Sequence, residues 1–208
     1  IPLFQTDIPD FLKAMDAQAK KSDTAWVTGI PYWDIPKSQQ VGEPLYYNSI
    51  MASGSESSGL YKKQRLVPFG EYIPLSGMLK WVLPAMQNDV SMSGFSRGEP
   101  DQKPLSVKGH ALAAAICYEV AYPNLTRRNA LNSDFLITVS NDAWFTGTAG
   151  PWQHLQMVQM RAKENGRWFI RATNTGVTAF IDQNGHIVKQ SPMDHEAVLR
   201  GDLPAMQG

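Results

Sequence analysis

The chain has 208 residues, 43% hydrophobic and 18% charged, with 19 basic residues balanced by 19 acidic ones. It is too apolar and too neutral for a disordered segment, and its length suits one domain with a sizeable core. Zero net charge offers no basic face to a nucleic acid, and a single cysteine excludes an internal disulfide and a cysteine zinc framework.

The start, Ile1-Pro2-Leu3-Phe4, shows no leader and reads as a piece cut from a longer chain; no run of about 18 apolar residues is present to span a bilayer. Asp7 to Ser22 is expected to form a helix, capped by Asp7, with Pro9 in its first turn. Ile8, Phe11, Leu12, Met15 and Ala19 share one helical face. Ala25 to Ile30 reads as a buried strand and Pro31 to Glu43 as a polar loop. Tyr46 to Ala52 and Leu60 to Leu66 read as strands joined by a Ser/Gly hairpin connection, Ser53 to Gly59. Residues 67–104 form a long irregular arm, broken by Pro68, Pro74, Pro84 and Pro100 and rich in apolar side chains such as Leu79, Trp81 and Met86. Such an arm either folds onto a small core of its own or meets lipid or a greasy substrate.

Ala111 to Val120 and Asp134 to Ser140 are mostly apolar runs, as expected of strands buried on both faces. Pro151 to Asn165 is expected to be a helix, with Pro at its start and Gly166 beyond its end. Arg167 to Asn174, Gly176 to Asp182, His186 to Lys189 and Ala197 to Asp202 read as strands. Strands alternating with helices predict an α/β layered domain.

Cys117 falls at the end of a buried strand, where open α/β folds bind ligands. A lone cysteine there is either a packing residue or a nucleophile; Tyr118 and Glu119 set polar groups beside it. Lys62 and Lys63 end a strand, so alternation sends one of them inward, where an ammonium can stabilise an oxyanion. Glu71, among apolar neighbours, is either solvated or buried and paired. The four histidines are scattered, with His154 read as a packing or hydrogen-bonding residue, and there is no phosphate loop or His-Glu-x-x-His site.

Four blocks in order carry a family resemblance: Lys63 to Pro74 (KQRLVPFGEYIP), Ala115 to Glu119 (AICYE), Ser140 to Phe145 (SNDAWF), and Gly150-Pro151-Trp152-Gln153-His154 through Arg171-Ala172-Thr173-Asn174-Thr175-Gly176. Nearly the whole chain resembles the nitrilase superfamily of carbon-nitrogen hydrolases and, within it, the periplasmic domain of the bacterial apolipoprotein N-acyltransferases. The resemblance implies a single nitrilase-like domain over 1–208, a four-layer α-β-β-α sandwich, truncated at both ends relative to a membrane-embedded parent. It implies a Glu-Lys-Cys triad in which Cys117 is the nucleophile and Lys63 stabilises the oxyanion together with the Tyr118 N–H. Glu71 and Glu119 match two further essential carboxylates, and no cofactor or metal is implied. The triad's glutamate base would fall just ahead of Ile1, so the chain alone is expected to be weak or inactive.

The implied reaction takes an acyl group from a phospholipid onto Cys117 as a thioester, then passes it to the α-amino group of a diacylglyceryl-cysteine apolipoprotein. The implied setting is the periplasmic face of the bacterial inner membrane, with Leu79, Trp81 and Met86 facing lipid. Two alternatives stay open: a soluble amidase or nitrilase using the same Cys117 and Lys63, and a non-catalytic scaffold that binds lipid or a partner.

Overall fold

The computed structural model describes residues 1–68, 70–72, 94–145 and 147–204. Helix α1 (Pro9–Lys21) packs on a hairpin of β1 (Ala25–Trp33) and β2 (Tyr46–Gly54), and β3 (Ser57–Lys62) continues the antiparallel ladder. Helix α2 (Ile35–Val41) lies between β1 and β2. After the arm come β4 (Leu105–Val107), β5 (His110–Ile116), a 3-10 turn over Cys117–Ala121, α3 (Pro123–Ala130) and β6 (Phe135–Ser140). A 3-10 turn over Asp142–Phe145, α4 (Gly150–Asn165), β7 (Phe169–Thr173), β8 (Ala179–Ile181) and β9 (Ile187–Gln190) follow.

The strands are hydrogen-bonded in chain order. β5, β6 and β7 run parallel; the other neighbouring pairs are antiparallel. The link between β3 and β4 is short, only Ser57 with Val107 and Ser58 with Ser106. There the sheet doubles over, and two layers come face to face.

Side-chain alternation on β5 shows the layering, because successive residues of a strand point to opposite faces. Leu112, Ala114 and Ile116 pack with Phe135 and Ile137 against Ile50, Ala52 and Tyr61 of the first layer. Ala113 and Ala115 face the other way, against Leu155, Val158 and Ala162 of α4. With α1 outside the first layer and α3 and α4 outside the second, the result is the expected α-β-β-α sandwich. Gly29 marks how close the layers come: a Cβ there would lie 3.1 Å from Val139 Cγ2.

Several local expectations are corrected. Pro31 does not end β1, which runs on to Trp33; β1 is an edge strand, where a residue without an N–H is tolerated. The expected loop from Pro31 to Glu43 contains α2, capped by Asp34, whose side chain accepts from the Lys37 N–H at 3.1 Å. β3 starts at Ser57 because the turn takes only Ser55 and Glu56, with Glu56 at a φ of 46°. Asp7 does not cap α1; Ile8 stands at the N-cap with no side-chain bond, and Phe11 is exposed while Ala19 carries the contact. Ala197 to Asp202 forms no strand.

Candidate active site

β5 ends at Ile116, and Cys117 turns the chain with a φ of 49°, the left-handed region that a residue with a Cβ adopts only under constraint. The thiol-bearing residue is half-buried and begins the 3-10 turn. Its backbone is tied on both sides. The Ile116 N–H donates to Glu119 Oε2 at 2.8 Å, and the Cys117 carbonyl lies 2.9 Å from His154 Nε2.

Lys63 comes from the opposite layer. β3 ends at Lys62 rather than running on to Leu66, and the Lys63 N–H donates to Asn48 O as the ladder closes. Lys62 turns to Asp34 at 2.6 Å and lies over the Tyr47 ring, so Lys63 is the inward one, only 1% exposed. Its ammonium donates to both oxygens of Glu71, at 2.8 and 2.7 Å. Glu71 also accepts from Asn48 Nδ2 at 2.9 Å and from the Val67 N–H at 2.8 Å, so this carboxylate is half-buried and fully paired rather than freely solvated.

Glu119 joins the two layers. Oε1 accepts from the N–H groups of Gln64 and Arg65, next to Lys63, at 2.7 and 2.9 Å. Oε2 accepts from the Ile116 N–H, next to Cys117, and from the Tyr61 hydroxyl at 3.0 Å. The residue is fully buried. Burial pushes its carboxyl above the usual range, opposed by the three backbone N–H donors. Burial and the neighbouring Glu119 charge likewise push the Tyr61 phenol well up, so Tyr61 remains a donor. Glu71 and Glu119 have both oxygens engaged by donors, which leaves neither free to take a proton from a thiol.

A second buried group lies behind Cys117, and sequence reasoning missed two of its three members. Arg171 on β7 is fully buried and donates from Nη2 to Asp142 Oδ2 at 2.5 Å and from Nε to Val177 O at 3.0 Å. Asp142 Oδ1 accepts from Ser140 Oγ at 2.5 Å and lies 3.2 Å from His154 Nδ1. Burial pushes the Asp142 carboxyl up, but bonds from His154 and Ser140 and the Arg171 charge outweigh it and hold the group below the usual range. Burial lowers Arg171, against the charge of Asp142 and its hydrogen bond. The readable signal was an arginine inside the apolar run Phe169 to Ala172: a charge at that place requires an acid beside it.

Three large aromatic side chains face solvent: Tyr118, next to Cys117 in the chain, is 42% exposed, and Phe145 and Trp152 are 41% and 44% exposed. Tyr118 meets Tyr122 edge-on at 5.7 Å. Leu79, Trp81 and Met86 lie outside the described residues. None of the helices among the described residues is long and apolar enough to cross a membrane.

This α-β-β-α sandwich is the fold of carbon-nitrogen hydrolases of known structure. The carbon-nitrogen hydrolase family model matches residues 6–207, and the chain belongs to that family. Among curated proteins it is 47% identical to an apolipoprotein N-acyltransferase of Azotobacter vinelandii, over 100% of this chain and 39% of that protein. It is 46% identical to one of Pseudomonas aeruginosa, over 100% of this chain and 40% of that protein, and 37% identical to one of Photobacterium profundum at the same coverages. The chain thus spans about two fifths of the length of these relatives. Solved structures share the fold: the Caenorhabditis elegans NitFhit protein has a TM-score of 0.65 at 18% identity, covering 90% of this chain and 44% of that one. A carbon-nitrogen hydrolase from Helicobacter pylori has a TM-score of 0.65 at 16% identity, covering 93% and 67%.

Proposed function

We propose that the chain is the acyl-transfer domain of a lipoprotein N-acyltransferase and that Cys117 carries the acyl group. The observation that carries this reading is the Glu119 bridge. One carboxylate holds the N–H before the thiol and the two N–H groups after the ammonium, so the two groups are placed by the same side chain. The names of the curated relatives supply the substrate class, and the exposed aromatic side chain of Tyr118, next to Cys117, suits acyl chains.

In the first half-reaction the Cys117 sulfur attacks a phospholipid ester carbonyl. The carbonyl oxygen gains negative charge opposite Lys63 and the Tyr118 N–H, and Glu71 holds Lys63 in place. The carbon–oxygen bond breaks, the thioester forms, and the lysophospholipid leaves with the thiol's proton. The triad glutamate that the family resemblance implies carries that proton. In the second half-reaction the α-amino group of a diacylglyceryl-cysteine attacks the thioester; an amide forms and the thiol is restored. Leu79, Trp81 and Met86 meet the lipid, on the periplasmic face of the inner membrane.

The test presents the full-length gene product, in detergent micelles, with phosphatidylethanolamine bearing a labelled acyl chain. The expected results are a labelled Cys117 thioester, released lysophospholipid, and label passed to a diacylglyceryl-cysteine peptide. Label released only as free fatty acid would favour the hydrolase reading, and an inert Cys117 would favour the scaffold.

A further inference from the structure

We infer that His154, held by Asp142 and Arg171, is a positioning residue that aims the oxyanion-binding N–H of Tyr118. The inference rests on the thioester chemistry proposed above and assigns the buried cluster that chemistry leaves unused. The Cys117 carbonyl and the Tyr118 N–H belong to one peptide unit. That unit is planar and trans, so the two groups lie on opposite edges and point in opposite directions. Fixing the carbonyl therefore fixes the N–H. His154 Nε2 lies 2.9 Å from the Cys117 carbonyl oxygen, which can only accept, so Nε2 carries the hydrogen.

The other ring nitrogen is supported in either protonation state. A neutral ring accepts at Nδ1 from the Arg171 guanidinium, whose Nη1 and Nη2 lie at 3.4 and 3.3 Å. A charged ring donates from Nδ1 to Asp142 Oδ1 at 3.2 Å. Both states keep the proton on Nε2. Asp142 is anchored by Arg171 and Ser140, and Arg171 by Val177 O. The ring therefore has no freedom to turn its donor away from Cys117.

The nucleophile turn needs such a hold. Cys117 has a φ of 49°, a left-handed backbone conformation that is strained for a residue with a side chain. The Tyr118 N–H lies in the first turn of the 3-10 segment, where N–H groups lack an acceptor within the helix. Aimed away from His154 and without an acceptor among the described residues, it can receive a developing oxyanion.

The test uses His154→Asn and His154→Gln in the full-length gene product. The Asn amide reaches only to the place of Nδ1; the Gln amide nitrogen reaches the place of Nε2. Two reactions of Cys117 are followed by mass. In the first, p-nitrophenyl butyrate acylates the sulfur: the sulfur–carbon bond forms through an oxyanion, p-nitrophenolate leaves with its electron pair, and the thiol proton goes to solvent. In the second, iodoacetamide alkylates the sulfur with loss of iodide, and no oxyanion forms. His154→Asn is expected to slow acylation about 10–100-fold, below the loss of a whole oxyanion donor, and to leave alkylation within about threefold. His154→Gln is expected to restore most of the acylation rate.

Equal loss of acylation and alkylation, or no loss of acylation in His154→Asn, would overturn the inference. If the unsubstituted protein is acylated by the aryl ester but not by phospholipid, the lipid-donor reading falls and the aryl-ester rates still decide the role of His154. If it is acylated by neither, both fall.

Discussion

Replacing Glu119 tests how strongly the two layers depend on one carboxylate. Glu119→Ala removes the acceptor of three backbone N–H groups and of the Tyr61 hydroxyl at once. Each buried donor left unpaired costs about 1–3 kcal/mol, and Gln64 N and Ile116 N are both fully enclosed. With the buried Tyr61 hydroxyl as a third such donor and Arg65 N partly exposed, the loss comes to about 3–9 kcal/mol, a large part of the 5–15 kcal/mol typical of a domain. Glu119→Gln should be milder, for a geometric reason. Its amide oxygen can keep the Gln64 and Arg65 N–H groups while its NH2 takes the place of Oε2. Tyr61 can then only accept from that NH2, so its hydroxyl proton and the Ile116 N–H are left without an acceptor, at about 1–3 kcal/mol each. Urea unfolding followed by tryptophan fluorescence gives the ranking directly. A Glu119→Ala protein within about 1 kcal/mol of the original, or a Glu119→Gln protein as unstable as Glu119→Ala, would refute the reasoning.

Glu71→Gln should destabilise the fold by about 3–5 kcal/mol and depress acylation, because it leaves the buried Lys63 ammonium without its anion; a thermal melt and the thioester assay check both. Asp142 is held below the usual carboxylate range, so its contribution to stability is complete above about pH 4 and is lost as pH falls through the depressed value. Asp142→Asn should therefore lower stability at pH 7 and flatten its fall below about pH 4, as read from urea midpoints at a series of pH values. Gly176→Ala would drive a methyl into Asp142 Oδ2 and should reproduce the acylation defect of His154→Asn, without touching the histidine. Cys117→Ser should abolish thioester capture while leaving the melting temperature within a few degrees, since the thiol makes little of the core.

The parts of the site that sequence reveals are those set by strand periodicity. A continuous apolar run made β5 legible, and its end placed Cys117; alternation required one of Lys62 and Lys63 to point inward. Periodicity says nothing about a group whose role depends on a partner far along the chain. His154 on α4, Asp142 after β6 and Arg171 on β7 are 12 to 29 residues apart, and only the parallel register of β6 and β7 under α4 brings them together. The misread stretch from Pro31 to Glu43 has a different cause. Proline normally breaks a strand, but the edge position of β1 removes that penalty, and the following Asp34-Ile35-Pro36 is a helix start whose cap lies in a segment too short for periodicity to show. Family resemblance named Glu71 and Glu119 as important; only the hydrogen bonds reveal that one neutralises the ammonium and the other ties two backbones together.

The span bridged by Glu119 has a bearing on synthesis. The two N–H groups it receives after Lys63 precede it by 55 and 54 residues. At about 5–20 residues per second, the ribosome delivers Gln64 and Arg65 several seconds before their acceptor. Throughout that interval the emerging N-terminal layer holds an unlatched loop beside an uncovered strand edge, a state that nascent-chain cross-linking would capture and that a holdase would shield.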